Sequence, residues 1–399
     1  RLGTLGLAGL SLPTLFASRA AAASRGPNPL KDKSVIFLFQ QGGPSQFETF
    51  DPKVEVPSEI RTVGGTVPTS IPGVHFGATL TRLARLMHKL TVVRSFTTRN
   101  AGHNIQPIVS RFSREANIGV HYSRVAGATR PDTGMPTNAV IFPQTVVPGA
   151  PGPSARGNLA ATGPYSGSFA PFLSGAGGEL QQDMTINIDR ERLLDDRREL
   201  LARLDRIDRA IDARGNLEAL DDLQRQAFEV LLSGGVSRAF DLSREDPRVV
   251  ARYDTARYAR KGQWNKVNRG KKGYYTAQAQ SIGKLLLTAR RLCEAGCGFV
   301  TIHAGYAGVW DMHADGNNLN MHDGMDAVGR SFDHAVAAFI EDCEARGLGE
   351  KILLVCTGEM GRTPKLNKRG GRDHWARLAP LLLYGGGMDG GRVIGESTR

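Results

Sequence analysis

Short apolar runs alternate with helical patterns along most of the chain. Six predominantly apolar runs lie at 34–39, 90–94, 139–142, 298–303, 352–356 and 380–384. Runs of this length fit strands that are buried on both faces, and they are too short for helices. Apolar residues with helical spacing occupy 78–89, 277–295 and 325–346. Strands that alternate with helices predict an α/β fold, a three-layer sandwich whose central sheet is mainly parallel.

The middle of the chain departs from this alternation. Residues 144–180 are rich in Gly, Pro, Ser and Ala, as in long surface excursions. Leucine and isoleucine then recur at three- and four-residue steps between 193 and 211, and a second helical pattern covers 217–232. We interpret 144–275 as a loop-rich and largely helical insertion beside the sheet.

The N-terminal residues 2–23 form a modestly apolar stretch that contains Gly, Ser and Pro and ends in small residues. This pattern is typical of an export signal, and it is too interrupted for a stable membrane anchor. The leading Arg1 indicates a twin-arginine signal over 1–23 whose first residues are missing. We therefore expect the domain at 24–399 to be periplasmic or secreted, with no integral membrane segment in the mature protein. An ordinary amphipathic N-terminal helix is the alternative.

The composition is that of a globular protein, with 40% hydrophobic and 23% charged residues. The net charge of +12 invites a nucleic-acid partner, but basic and acidic residues alternate closely over 189–214. A denser basic run at 257–272 fits an exposed loop or a contact with an anionic partner. Because neither a recognition helix nor an aromatic-lined basic platform is evident, no nucleic-acid partner is expected. The four cysteines are too few for a disulfide framework and are expected to be buried thiols.

Three polar loops that follow predicted strands carry the candidate chemistry. Ligands of open α/β sheets bind beyond the carboxyl ends of the strands, where such loops converge. The first loop reads Gln-Gln-Gly-Gly-Pro-Ser at 40–45. Its two glycines allow a sharp turn close to a ligand, with Gln41 as a contact and Ser45 as a hydroxyl nucleophile. A plain turn after a strand explains the same residues.

The second loop follows the apolar run that ends at His303. Asp311 and His313 lie two positions apart, so in an extended segment both side chains point to the same side and can reach one cation. With His303 before them and His322 after them, a metal or acid–base role competes with scattered surface polar residues.

The third loop follows the run at 352–356. Glu359 stands at the end of that predicted strand, and Arg362 can form a bidentate contact with a phosphate, sulfate or carboxylate. Arg372, Asp373 and His374 come next and add another acid and imidazole. A structural ion pair between Arg362 and Glu359 is the alternative.

Parallel strands would bring all three loops to one edge of the sheet. The residues fall into predicted metal ligands (Asp311, His313, Glu359, Asp373, His374), catalytic residues (Ser45, Arg362) and substrate contacts (Gln41, His103, His303, His322, Arg372). Carboxylates and imidazoles without thiolates favour a divalent cation, Zn²⁺, Mn²⁺, Ca²⁺ or Mg²⁺, over a redox centre. Such a cation can polarise an ester oxygen and activate a water or hydroxyl nucleophile.

Four segments carry a resemblance to a known family. They read GGPSQFETFDPK at 42–53, WDMH at 310–313, GEMGRTPKLNKRGGRDHW at 358–375 and GGGMDGGRVIG at 385–395. The chain resembles the bacterial family catalogued as domain of unknown function 1501, which is abundant in planctomycetes and usually carries a twin-arginine leader. The resemblance implies the superfold of alkaline phosphatases and sulfatases, in which strand-end loops supply metal-bound Asp and His and a Ser, Thr or modified Cys attacks phosphorus or sulfur.

The resemblance also implies roles for particular residues. Asp311 and His313 look like one acid–histidine ligand pair, Glu359 takes the place of the later strand-end acid, and His374 looks like the distal histidine. Gln46 and Glu48 depart from the His and Asp expected in many relatives. No Cys-x-Pro-x-Arg signature occurs, which leaves formylglycine chemistry unsupported. The chain is also expected to stop before the family's usual C-terminal segment.

Two functions follow from these observations. The first is an exported metal-dependent hydrolase that acts on phosphate or sulfate esters, including those of polysaccharides. The second is a non-catalytic protein on the same scaffold that recognises a sulfated glycan or another envelope component. In both, the expected partner is a small molecule or polysaccharide that carries an anionic group.

Overall fold

A computed structural model describes residues 30, 33–130, 133–175, 235–259, 269–303, 306 and 308–397. Within these residues the strands are β1 (Ser34–Phe39), β2 (Thr66–Pro68), β3 (His75–Gly77), β4 (Leu90–Val93), β5 (Asn138–Ile141), β6 (Phe172–Ser174), β7 (Phe299–His303), β8 (Ile352–Thr357), β9 (Gly361–Leu366), β10 (Arg372–Trp375), β11 (Leu381–Gly385) and β12 (Arg392–Ile394). The α-helices are α1 (Thr81–Arg85), α2 (Ile118–Ala126), α3 (Gly235–Phe240), α4 (Pro247–Arg252), α5 (Arg269–Glu294), α6 (Met321–Gly324) and α7 (Arg330–Ala345).

Eight of these strands form one central sheet in the order β12-β4-β11-β8-β1-β7-β5-β6. Strand β1 pairs in parallel with both β7 and β8, and β5 pairs in parallel with β6 and β7. Strand β11 is antiparallel to its two neighbours, β4 and β8, so β4 again runs in the same direction as β8. All six apolar runs predicted as strands lie in this sheet, and the prediction of a mainly parallel α/β sheet is confirmed.

The sheet is covered on both faces, which gives three layers. In β1, Ile36 and Leu38 belong to one core cluster, while Phe37 and Phe39 belong to the other. Because successive side chains of a strand point to opposite faces, this alternation places a hydrophobic core on each side of the sheet. Helices α5 and α7 pack against each other within the larger core, and α2 contacts β5 and β7 on the opposite face.

The predicted helical patterns correspond to real elements with different bounds. The pattern at 78–89 forms α1 followed by a 3₁₀ turn at Met87–Lys89, and the pattern at 277–295 forms the C-terminal part of α5. The pattern at 325–346 begins with a π-helical turn at Met325–Gly329 before α7. Strands β6 and β12 were not predicted, because runs of three residues carry too little periodicity to be recognised.

Several predictions lie outside the described residues. These are the export signal at 1–23 and the helices at 189–211 and 217–232. The insertion at 144–275 therefore remains a prediction, although β6 within it pairs with the central sheet. None of the helices that the structure describes has the length and hydropathy needed to cross a membrane. All four cysteines are free and buried, as predicted.

Candidate metal centre

Four strand-end loops meet at the carboxyl edge of the sheet. They follow β1, β7 and β8, which are neighbours in the sheet, and β4, which is separated from β8 by β11. Phe39, at the end of β1, is in register with His303 on one side and Thr357 on the other, so these three strands end at the same level. The loop after β4 contributes His103 to the same place. The parallel arrangement thus gathers residues that are more than 300 positions apart in the sequence, such as Gly42 and Glu359, as expected for the ligand sites of α/β sheets.

Gly42 is the point at which the loops after β1, β7 and β8 touch. Its φ of +125° lies in the region that favours glycine, and a Cβ there would lie 2.7 Å from the backbone nitrogens of Trp310 and Asp311. Its N–H donates to both carboxylate oxygens of Glu359, at 2.8 and 3.1 Å. Gly42 therefore permits the close approach of the second loop and fixes the Glu359 side chain of the third.

Asp311 is the hub of the site and is only 3% exposed. Its Oδ2 lies 2.9 Å from His103 Nε2 and 3.0 Å from His313 Nε2. Its Oδ1 lies 3.3 Å from His374 Nε2 and accepts from Arg362 Nη2 at 2.7 Å. Three imidazoles from three separate loops therefore point the same ring nitrogen at one buried carboxylate.

The outer nitrogens of two of these imidazoles are held by acceptors. His103 Nδ1 lies 2.9 Å from Glu359 Oε1, and His374 Nδ1 lies 2.8 Å from the carbonyl oxygen of Ala101. Because a carbonyl accepts only, His374 carries a proton on Nδ1, and Glu359 favours the same tautomer of His103. Nε2, the nitrogen of each ring that faces Asp311, is then the atom that can bind a metal, as in carboxylate–histidine–metal sites.

The donor atoms fit a single divalent cation. His103, Asp311 and His374 offer atoms that all lie within 4.8 Å of one another. Ligands bound tetrahedrally at roughly 2.1 Å would be about 3.4 Å apart, close to the contacts of 2.9 and 3.3 Å that Asp311 makes here. His313 Nε2 borders the same carboxylate at 3.0 Å but lies outside this group of three donor atoms. The set of imidazoles and carboxylate suits Zn²⁺ or Mn²⁺.

The electrostatics of the cluster favour a bound positive charge. Burial alone would raise the pKa of the Asp311 carboxyl, but hydrogen bonds from His103, His313 and His374 and the charge of Arg362 lower that pKa well below its usual range. Burial lowers the pKa of His103, but its hydrogen bonds to Asp311 and Glu359 more than offset this and raise it. The cluster therefore holds a carboxylate and attracts a proton or another cation.

Arg362 is fully buried, and its guanidinium is fully engaged. Besides its contact with Asp311, it donates to the carbonyl oxygens of Gly42, Gly43 and Arg372, the last two at 2.7 and 3.1 Å. Glu359, the alternative ion-pair partner considered for Arg362, is bound instead by Gly42 and His103. The predicted catalytic role of Arg362 stays a prediction, and its geometry favours holding Asp311 in place.

The first loop buries Ser45, the hydroxyl nucleophile predicted from the sequence. Ser45 is 0% exposed, and its hydroxyl donates to Glu48. Glu48 in turn accepts from Arg372 Nη2 at 2.9 Å and from Arg372 Nε at 3.0 Å. Ser45 and Arg372 thus belong to a buried network beside the cluster, and neither faces its histidines.

Gln46 and Glu48, the two departures from the expected family pattern, brace the third loop. The Gln46 side-chain amide donates to the carbonyl oxygen of Arg362 at 2.7 Å and accepts from its N–H at 2.9 Å. Glu48, which lies in the same first loop as Gln46, accepts hydrogen bonds from Arg372. Both side chains therefore stabilise the hairpin formed by β9 and β10, in which His374 is in register with Arg362.

The remaining predicted residues separate into supports and outliers. Gln41 Oε1 lies 2.9 Å from His303 Nε2, and Gln41 Nε2 donates to the carbonyl oxygen of Asn104, which anchors the loop that carries His103. His303 is buried between aromatic rings of the core. His322 is exposed and pairs with its neighbour Asp323 at 3.3 Å, away from the cluster.

Asp373 lies at the rim of the site. Its carboxylate accepts from Asn367 Nδ2 at 3.1 Å and lies outside the group of donor atoms around Asp311. It lines an open cleft of about 340 Å³ together with His313, Asp315, Asn367, Lys368 and Arg369. The cleft leads from the surface to His313 and so gives a ligand access to the cluster.

Asn318 was not anticipated from the sequence, and Lys271 was noted only as part of the basic run at 257–272. Asn318 Nδ2 lies 3.1 Å from His313 Nε2 and 3.3 Å from Asp311 Oδ2, and Asn318 Oδ1 accepts from Lys271 Nζ. Asn318 follows His313 by five residues in the same loop, which is a weak signal. Lys271 lies on α5, far from every predicted loop in sequence, and only the packing of that helix brings it here.

Fold and site together define an α/β protein with a histidine-rich carboxylate cluster at the carboxyl edge of a mainly parallel sheet. The chain belongs to the family described as "Protein of unknown function (DUF1501)", whose model matches residues 32–399. The family resemblance found in the sequence is thereby confirmed. Comparison with curated proteins finds no match.

Solved structures of two enzyme classes are similar to the chain. The PsFucS1 sulfatase from Pseudoalteromonas sp. shows 12% identity and a TM-score of 0.37, over 96% of this chain and 68% of the sulfatase. A TAB5 alkaline phosphatase variant with Mg bound in its M3 site shows 13% identity and a TM-score of 0.34, over 92% of this chain and 94% of the phosphatase. The similarity is low, so the proposals below rest on the geometry of this site.

Proposed function

We propose that the protein is a metal-dependent hydrolase that acts on phosphate or sulfate esters outside the cytoplasm, including those of polysaccharides. The observation that carries the proposal is the convergence of three Nε2 atoms, from His103, His313 and His374, on the buried Asp311 carboxylate. A structural ion pair would need only Arg362 beside Asp311. Three imidazoles, two of which have their outer nitrogens held by acceptors, instead suit a cation.

His103, Asp311 and His374 would hold the metal, and His313 would lie beside it against the Asp311 carboxylate. A bound divalent cation supplies positive charge against the negative charge that develops on the ester oxygens during hydrolysis. Glu359 orients His103 through Nδ1, and Arg362 keeps Asp311 fixed and ionised. These contacts preorganise the site, so little reorganisation is needed when the substrate binds.

The nucleophile in this proposal is a water molecule and not Ser45. The Ser45 hydroxyl is buried and donates to Glu48, so it cannot approach an ester bound at the histidine cluster. Water adds its oxygen to phosphorus or sulfur, the ester oxygen leaves with the bonding electrons, and one proton of the water ends on the released alcohol. The water reaches the cluster through the open cleft beside His313.

The proposal is tested by metal analysis combined with a panel of aryl phosphate and aryl sulfate substrates. We expect the wild type to retain Zn²⁺ or Mn²⁺ in stoichiometric amount and to hydrolyse at least one ester class. His103→Ala and His374→Ala should each lose both properties, since each removes one of three donors. His75→Ala, an exposed histidine at the start of β3, is the matched control and should keep both. A wild type without bound metal, or metal retained by both site variants, contradicts the proposal.

A non-catalytic binding function is the second candidate, and the burial of Ser45 favours it, because the hydroxyl predicted as the nucleophile does not face the cluster. In that case the metal-loaded protein would bind a sulfated glycan but hydrolyse none of the esters. Retention of glycan affinity in His374→Ala, with no turnover before or after the substitution, would support binding over hydrolysis.

A further inference from the structure

An anionic substrate at the cluster needs a cationic partner from the protein, and the two buried arginines of the third loop cannot supply it. Arg362 and Arg372 are both fully buried. The guanidinium of Arg362 is engaged by Asp311 and by backbone carbonyls, and that of Arg372 is engaged by Glu48 and by other carbonyls. Neither presents a donor to a ligand at the histidines, so neither of these two side chains supplies the binding charge.

Lys271, in the first turns of α5, brings an ammonium group to the edge of the cluster. Its Nζ donates to Asn318 Oδ1, and the amide nitrogen of the same Asn318 lies 3.3 Å from Asp311 Oδ2 and 3.1 Å from His313 Nε2. One amide side chain therefore joins the ammonium to two members of the cluster, and it fixes where the charge lies.

The chain leaves room for this ammonium. A Cβ on Gly308 would lie 2.8 Å from Lys271 Nζ, and Gly308 has a φ of +85°. A larger residue at this position would therefore push the lysine away from the cluster and would also strain the backbone. Gly308 precedes Asp311 in the loop after β7, so the loop that supplies the carboxylate also makes space for the lysine.

Lys271 is partly buried, and this strengthens its interaction with an anion. Burial lowers the pKa of the Lys271 ammonium, while the nearby Asp311 and Asp315 carboxylates act in the opposite direction. A charge shielded from water interacts with a neighbouring anion more strongly than an exposed one. If Asp311 binds a divalent cation, the cation weakens the attraction between the Lys271 ammonium and the Asp311 carboxylate. The ammonium can then interact with a substrate oxygen.

We propose that Lys271 is the substrate-binding residue that holds a non-bridging oxygen of the phosphate or sulfate group, with Asn318 as the positioning residue that aims it. This inference rests on the proposed hydrolase function and deepens it, because it assigns the specificity for an anionic ester to one residue of α5. In this proposal Lys271 takes the place of Arg362 as the anion-binding group. The bound substrate then contacts both helix α5 and the strand-end loops.

The experiment titrates inorganic phosphate and inorganic sulfate into the purified full-length chain by calorimetry, with and without bound Zn²⁺ or Mn²⁺. Lys271→Met should weaken oxyanion binding about tenfold to a hundredfold, the range for loss of a charged hydrogen bond, while metal content and thermal midpoint stay unchanged. Lys271→Arg should recover part of the affinity. Lys272→Ala is the matched control, since the next residue projects about 100° around the helix, and it should leave the affinity unchanged.

Esterase kinetics add a second readout. Lys271→Met should raise KM more than it lowers kcat, and Asn318→Ala should do the same to a smaller extent. An oxyanion affinity of Lys271→Met equal to that of the wild type overturns the inference. A variant that loses metal and oxyanion affinity together also overturns it, because Lys271 would then have a structural role. A wild type that holds no metal contradicts the hydrolase, whereas oxyanion titration of that metal-free chain still decides whether Lys271 binds the anion.

Discussion

Replacing Arg362 with lysine separates a bracing role from a substrate-binding role. The substitution keeps the positive charge beside Asp311 but replaces a five-donor planar fork with a single nitrogen. Arg362 donates to several buried carbonyl oxygens, among them those of Gly42, Gly43 and Arg372, as well as to Asp311. Lysine can reach Asp311 and at most one carbonyl, so at least two buried acceptors lose their partner.

The magnitude follows from those two lost contacts. A hydrogen bond from a charged group contributes about 1.5–3 kcal/mol, so two of them amount to about 3–6 kcal/mol of unfolding free energy. We expect Arg362→Lys to lose an amount in this range in urea denaturation at neutral pH, with an unchanged m-value. Arg369→Lys, on the exposed turn of the same hairpin, is the control and should change the unfolding free energy by less than about 0.5 kcal/mol.

A bracing role also predicts the catalytic pattern. Arg362→Lys should lower metal affinity, because Asp311 is less firmly held, and activity should return at raised metal concentration. Stability within about 0.5 kcal/mol of the wild type, combined with a raised KM at saturating metal, would refute the reasoning and restore Arg362 as an anion-binding residue.

Two further predictions concern stability. Burial raises the pKa of Glu245, but hydrogen bonds from Arg291 and Arg290 more than offset this and lower the pKa from 4.5 to about 2. The ionised Glu245 side chain therefore stabilises the fold above about pH 4.5, and this stabilisation is lost as the pH falls toward 2. Glu245→Gln should lower the unfolding free energy by up to about 3 kcal/mol at neutral pH, and an equal loss at pH 7 and pH 3 in denaturant titrations would contradict this. Gly42→Ala should destabilise the chain by several kcal/mol more than Gly64→Ala. Both glycines have positive φ, but of these two only a Cβ at Gly42 would meet backbone atoms, at 2.7 Å. Equal shifts in thermal midpoint would argue against the close approach of Gly42 to the loop that carries Asp311.

The sequence by itself determined the sheet. The six apolar runs found at positions such as 34–39 and 352–356 all became central strands, because a strand buried on both faces needs a continuous apolar stretch that few other elements share. The family signal was also in the sequence, since motifs such as WDMH and GRDHW are local strings. Asp311, His313 and His374 were recognised for the same reason.

Only the tertiary structure decided which of the predicted residues meet and which are buried. Local spacing could not show that Ser45 points inward to Glu48, or that Arg362 is engaged by carbonyls of a loop more than 300 residues away. Nor could it show that Lys271 of α5 reaches the cluster through Asn318. The donors and acceptors of a buried site come from distant segments, so the folded chain alone fixes which polar groups remain available to a ligand.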